Sequence, residues 1–355
     1  LAQQGEYRRA AAALDEAAAA VARGGGEGME WLLARARGEL ALRRDDPEGA
    51  RRAFAVCHDL AQAGSEPAKV AESRFLLGTA LIEAGRPDEA IRLLDPGPED
   101  TAFGGRFRTR LSRRLYAAVA RVEAGEIRAG IAGFEAVAAE CGPYTPPDLR
   151  IRLGLEAGRA LVRVGELDRA EAEYGEAVRL MQEADGRVFA ADLRLVNRRL
   201  RRELFETVAG FFLDHPRRLG RADPAASTLA LLELADTGAG GDVPDLAPAL
   251  WFFVGKERSF RWSRTADGLS VTGLPGEADL ARLVAPVVAD MQHPGRTVGE
   301  SALNRLADVL LGPLGDHWSA GRTLHLAPDG VLHAVPWALL PLPVPGGGFE
   351  PALTR

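Results

Sequence analysis

Five hexapeptides of this chain fall on a forty-residue beat: GEYRRA from Gly5, DDPEGA from Asp45, GRPDEA from Gly85, GEIRAG from Gly125 and GELDRA from Gly165. Each closes on a small residue, at Ala10, Ala50, Ala90, Gly130 and Ala170. Seven residues before each turn from the second onwards stands another small one: Gly38, Gly78, Ala118 and Gly158. Four residues after the closing small residue comes a large one: Leu14, Phe54, Leu94, Phe134 and Tyr174. A fixed period of this size marks stacked supersecondary units, each too small to bury its apolar face alone. The columns describe a helix hairpin. A small residue on the first helix admits the second, a Gly-type turn reverses the chain, and the large residue is expected to fill the gap between neighbouring hairpins.

Composition narrows what such an array serves. At 355 residues there is room for two or three domains. A formal net charge of −6 argues against a dominant nucleic-acid or anionic-membrane surface. No apolar run approaches the roughly 18 residues of a bilayer span, and no secretory signal is visible at the start. The only cysteines, Cys57 and Cys141, imply no disulfide framework and fit a reducing cytosol. Lysine occurs only at Lys69 and Lys256. The predominance of arginine, with much Ala and Gly, reads as GC-rich codon usage.

The repeat resembles the tetratricopeptide (TPR) motif, most closely over Leu76–Leu94, LLGTALIEAGRPDEAIRLL, although the period exceeds the usual 34. The first unit begins with a second helix whose partner would precede Leu1, so the start is expected to be artificial or unresolved. What the resemblance implies is a right-handed helical solenoid with a groove lined by the first helix of each unit. The family's groove positions fall on Arg35, Glu39, Arg43, Thr79, Glu83, Glu123, Arg152, Arg159 and Arg163. Such a groove would grip a protein or peptide partner, and the Arg152/Arg159/Arg163 face would suit an acidic tail. Charges on exposed helix faces are solvated by default, and that reading takes precedence.

From Arg187 to about Leu213 a helical run breaks the rhythm and carries Arg194, Arg198, Arg199, Arg201 and Arg202. Without a second basic strip or interleaved aromatics these are not nucleic-acid contacts. They read as a solvent face or an intramolecular clamp. Ser227–Ala235 is a last helix, and Thr237–Pro244 is the clearest linker.

After the linker, Leu250–Val254, Ser259–Arg264 and Leu269–Thr272 read as an antiparallel meander. Helices follow at about Glu277–Met291 and Gly299–Leu311. Then comes LHLAPDGVLHAVPWALL, Leu324–Leu340. Leu324–Ala327 suits a strand buried between helices. Pro328, Asp329 and Gly330 make a tight turn, in which Asp can bond its own backbone and Gly can take φ > 0. Pro336 opens a short helical piece from Trp337.

The stretch resembles the PDG-x-L-H-x-x-P-[FW]-x-x-L signature of the CHAT family, the caspase-like peptidases found joined to TPR arrays. It carries Pro328, Asp329, Gly330, Leu332, His333, Pro336 and Trp337 as structural motif residues. Ala249–Leu340 as a whole, with the meander and ALNRLADVLLGPLG, is similar to that family's entry strands and pre-motif helix. The expected fold is therefore mostly α. TPR-like repeats occupy 1–186, connecting helices 187–236 and a linker 237–248. The N-terminal part of an α/β caspase-like domain occupies 249–355.

In that family a His after one apolar strand and a Cys after the next form the dyad. Both belong downstream of the turn, so no catalytic residue is carried onto this chain, which is expected to stop short of them and to lack peptidase activity. His333 matches the motif's structural His. Cys57 falls at a core place of a second helix and Cys141 ends one, neither with a paired His in view. The chain has no GxxxxGK[ST], no GxGxxG after a strand and no zinc or calcium spacing, so no cofactor or metal is expected. The resemblance implies the cytoplasmic sensor and scaffold portion of a bacterial TPR–CHAT cysteine protease. Its partners would be a protein or peptide in the groove and the remainder of the CHAT domain. The alternative is a non-catalytic TPR adaptor with a degenerate CHAT-like docking domain.

Overall fold

Helices dominate the chain, joined by a small four-stranded sheet. The computed structural model describes residues 2–23, 28–95, 107–187, 191–216, 223–231, 249–265, 268–293, 297–312, 324–343 and 349–351. The expected linker at 237–248 lies outside them, as does the end of the helix expected over Ser227–Ala235. Two compact units divide the chain, Leu1–Leu180 and Met181–Arg355.

The first unit holds α1 (Ala2–Ala22), α2 (Glu30–Arg43), α3 (Pro47–Ala63), α4 (Pro67–Glu83), α5 (Pro87–Leu94), α6 (Phe107–Glu123), α7 (Ile127–Glu140), α8 (Pro147–Arg163) and the larger part of α9 (Leu167–Arg187). Four of its turns close alike. At Asp45, Gly85, Gly125 and Gly165 φ is 56°, 70°, 90° and 79°. The following amide reaches back five residues each time: Asp46 to the Ala41 carbonyl, Arg86 to Leu81, Glu126 to Arg121 and Glu166 to Leu161, at 2.8–2.9 Å. This is the Schellman closure, which needs a left-handed residue and so favours Gly. Asp45 is the one turn residue of the four that carries a side chain. Next to it, the Asp46 carboxylate accepts the Gly49 amide at 2.8 Å and Pro47 opens α3, so this helix start is fully specified. Gly5 behaves differently, since it lies inside α1 rather than in a turn.

The packing adds to one expectation. Leu94 reaches the next hairpin at Ala117 and Ala120, as the gap-filling role requires, and in three units the large residue also seats on the small residue of its own hairpin. A Cβ at Gly38 would stand 2.3 Å from the Phe54 ring, one at Gly78 2.5 Å from Leu94, and one at Gly158 2.3 Å from the Tyr174 ring. Phe54 also reaches forward to Ala80 on α4, so the side chain serves both its own hairpin and the next. In the fourth unit Ala118 replaces the glycine, and Gly133 opposite leaves it room. The beat therefore sets interhelix distance first, and the gap between hairpins is filled as a consequence.

The second unit opens with α10 (Ala191–Asp214) and α11 (Pro224–Leu231). There follow β1 (Ala249–Phe253), β2 (Arg258–Thr265), β3 (Gly268–Pro275), α12 (Glu277–Met291), α13 (Glu300–Leu310) and β4 (His325–Ala327). Two 3-10 turns, Gly330–Ala334 and Trp337–Leu339, precede the pair β5 (Pro341–Pro343) and β6 (Phe349–Pro351). The main sheet runs β3-β2-β1-β4, antiparallel except for β4, which lies parallel to β1.

Helices cover both faces of the sheet. Leu250, Phe252 and Val254 pack with Leu280, Val284, Val287, Leu306 and Leu310 of α12 and α13. On the opposite face Trp251, Phe253, Phe260 and Trp262 pack with Phe205 and Ala209 of α10 and Leu229 of α11. Every residue of β1 is buried, as a two-faced central strand must be. Helices α10 and α11, within the span read from the sequence as connecting helices, thus pack on this sheet. The strand expected to be buried at Leu324–Ala327 is instead half-buried; among the described residues β4 is the last strand of the sheet and pairs only with β1.

Candidate functional site

Most of the residues read from the sequence as groove positions are engaged within the first unit. Arg35 bonds Glu39 and Glu72, both at 2.9 Å, and lies 5.8 Å from the centre of the Trp31 ring. Glu72 is on α4, so this pair ties the first helices of two neighbouring hairpins. The Glu123–Arg163 pair, 3.1 Å apart and one full period apart in sequence, does the same for α6 and α8. Arg152 and Arg159 share the carboxylate of Glu156, at 3.2 and 3.4 Å. The Thr79 hydroxyl donates to the Leu76 carbonyl within its own helix at 2.8 Å. Arg43 and Glu83 are exposed. The arginine face read from the sequence as suited to an acidic tail is therefore already supplied with carboxylates. An acidic ligand would have to displace Glu156 and Glu123; the Glu123–Arg163 pair is exposed and such pairs are worth only about 0–1 kcal/mol, whereas Glu156 is part-buried between its two arginines.

The thiols are placed as packing residues. Cys57 is fully buried, and its thiol donates to the Trp31 carbonyl at 3.7 Å. Burial, with the Glu72 charge behind it, pushes its pKa up to about 11, so the nucleophilic thiolate is scarce at neutral pH. Cys141 caps the end of α7 and is partly exposed. His58 follows Cys57 in the chain but bonds elsewhere. Its Nδ1 meets the Ser73 hydroxyl at 3.0 Å and its Nε2 meets Gln62 at 3.1 Å. Ser73 donates to the Val70 carbonyl, so it accepts from Nδ1–H, and Nε2 accepts from the Gln62 amide. That network fits a neutral imidazole. Burial first, then Arg74, holds the His58 pKa below 6.5. The folded chain thus binds fewer protons than the unfolded one. Stability is full above the unfolded value and falls as pH drops below about 6.5. Urea melts at pH 7.5 and 5.0 should show this decline, and His58→Gln should flatten it.

In the second unit the motif turn is built differently from its sequence reading. Asp329 is buried, and its carboxylate bonds outward from the turn. Oδ2 accepts the Val254 amide at 2.8 Å and Arg202 Nη2 at 2.5 Å. Arg202 Nη2 also donates to the Val254 carbonyl at 2.8 Å, and the guanidinium lies 4.6 Å from the Phe253 ring centre. Asp329 itself is extended (φ −131°), and the reversal falls on Gly330 at φ 53°. Leu332 is fully buried, and Trp337 lies tilted against Phe252, ring centres 5.1 Å apart, while its indole N–H donates to the Leu332 carbonyl at 3.2 Å. His333 is exposed and makes no hydrogen bond among the described residues. Pro328 and Pro336 frame the turn without donors, and Pro336 opens the second 3-10 turn as expected.

One turn of α10 further on, Glu206 accepts three successive amides of the β1–β2 turn, Lys256, Glu257 and Arg258, at 3.0, 2.8 and 2.7 Å. Gly255 has to be small there, because a Cβ would stand 2.6 Å from the Glu206 carboxyl carbon. Arg202 and Glu206 are four residues apart and so share one helix face. Of the two clamp roles that α10 plays, the sequence reading named the basic one only in general terms and missed Glu206.

Among the described residues no group of three His, Cys, Asp or Glu side chains could hold a metal ion, and no helix is long and apolar enough to cross a membrane. No protein-family model matches the chain, and no curated protein matches it.

Proposed function

We propose that this chain is the recognition and scaffold portion of a TPR–CHAT-type cysteine protease. Its first unit would be a right-handed solenoid that receives a protein partner, and its second the entry half of a caspase-like domain. The observation that carries this reading is the second unit's sheet. It is covered by helices on both faces and ends on β4, which lies parallel to the fully buried β1 and has no neighbour on its outer side among the described residues. Strands bearing a His and a Cys, added on that side, would stand directly after the clamped motif turn. The four identical turns and the two ion pairs between successive first helices support the solenoid.

The test is a fluorogenic-peptide assay on the 355-residue chain beside a longer product of the same gene. The shorter chain should give no iodoacetamide-sensitive turnover, since Cys57 is buried and its thiol hard to ionise. The longer one should cleave. Turnover by the 355-residue chain that disappears in Cys57→Ser or Cys141→Ser would overturn the assignment. Inactivity of the longer product would favour the adaptor reading instead.

A further inference from the structure

The sheet face under α12 and α13 is apolar on β1 and polar on β2. Ser259, Arg261 and Ser263 alternate onto that face and are 0%, 3% and 0% exposed. The register sets Thr272 opposite Arg261 and Ser270 opposite Ser263. Thr272 and Ser270 are exposed, so the strip runs from the interior out to the β3 edge. Within it Arg261 Nη1 donates to the Leu310 carbonyl at 2.9 Å and Nη2 to Thr272 Oγ1 at 3.2 Å. Ser263 and Ser270 pair through their hydroxyls at 2.7 Å.

Two groups of the strip are left over. Arg261 Nε and Ser259 Oγ are buried and have no hydrogen-bond partner among the described residues. Among the described residues no carboxylate faces the guanidinium, and burial alone pulls its pKa down. A buried cation without a counter-ion is costly, and proteins seldom retain one without compensation. The end of α13 supplies part of it through Leu310, but a helix C-terminus carries only about half a negative charge. Among the described residues the rest is unbalanced. Gly312, at φ 49°, brings bare backbone up to the same guanidinium, where a Cβ would be 3.3 Å from Nη1.

We propose that this strip is a binding site for a small oxyanion, a carboxylate or a phosphate, which pairs with Arg261 and draws its remaining bonds from the neighbouring hydroxyls. The arrangement suits such a ligand: a planar multidentate donor is fixed at two of its nitrogens, and hydroxyls flank it on the same face. A neutral or cationic ligand would leave the guanidinium uncompensated.

Melting and calorimetric titration of the whole 355-residue chain test this. Inorganic phosphate and acetate are added separately at constant ionic strength held with chloride. One of them should raise the melting temperature along a saturable curve, and which one does so assigns the anion. Arg261→Met should abolish the saturable response. Should that variant fail to fold, Ser263→Ala and Thr272→Val keep the guanidinium and should weaken binding by at least about tenfold, as expected for lost bonds to a charged ligand. No saturable response to either anion, or equal binding by the folded variants, overturns the proposal.

Discussion

Asp329→Ala will cost the second unit about 3–5 kcal/mol, the usual result of removing one member of a buried, hydrogen-bonded charge pair. The substitution leaves the Val254 amide without its acceptor and strands Arg202, whose side chain is 23% exposed. Asp329→Asn keeps an acceptor for Val254 and loses only the charge, so it should fall between wild type and alanine. Arg202→Met alone leaves the carboxylate bonded to the amide and should cost less than Asp329→Ala. The two together should cost less than their sum, with a coupling of roughly 0.5–3 kcal/mol, because each single variant abandons the other's charge. Urea melts of the four proteins complete the cycle, and amide exchange at Val254 reports the same loss locally. If Asp329 were only a local turn former, the coupling between the two substitutions would be zero, whatever Arg202→Met cost through its bond to the Val254 carbonyl.

That contrast shows where sequence reading stopped. The turn at Pro328–Gly330 was legible because Pro and Gly act locally, and the positive φ falls on Gly330 as its lack of a Cβ allows. The destination of the Asp329 carboxylate was not legible, since its partner Arg202 lies 127 residues earlier. The array was legible for the opposite reason. Each Schellman turn is a local motif, and repetition exposes the positions that must be small or left-handed. Helix α12 spans the residues read for it, Glu277–Met291, since its apolar spacing is intact and Gly276 precedes it. The strands of the meander are also where alternation put them, with β3 longer by three residues at its end. Whether Leu324–Ala327 is central or at an edge depends on what pairs beside it, and an apolar run carries no such information.

The candidate groove was half legible. Helical spacing put Arg152 and Arg159 on one face, and Glu156 between them could have been recognised as a common partner at i+4 and i−3. The Arg35–Glu72 and Glu123–Arg163 pairs become visible only once neighbouring hairpins are stacked. Glu206 had no signal of its own, because three backbone amides are its partners and no side chain marks them.

The second large effect is expected at the last hairpin. Tyr174 is 2% exposed, and three of its ring carbons crowd the place a Cβ would take on Gly158. Tyr174→Ala empties that seat and should cost about 3–5 kcal/mol in the first unit, as for other buried aromatics cut to alanine. Gly158→Leu, made alone, forces a side chain into an occupied ring and should cost at least roughly 1–3 kcal/mol. Combined, the two should be less destabilising than Tyr174→Ala by itself, since the leucine enters the cavity from the α8 side. Tyr174→Leu copies the Gly78–Leu94 pairing two units earlier and should be the mildest of the set. Urea melts followed by far-ultraviolet circular dichroism give all four values. Rescue of Tyr174→Ala by Gly158→Leu requires the ring to sit on its own hairpin. A tyrosine that only filled the space between hairpins would be indifferent to Gly158, and the double variant would then carry the full sum of both losses.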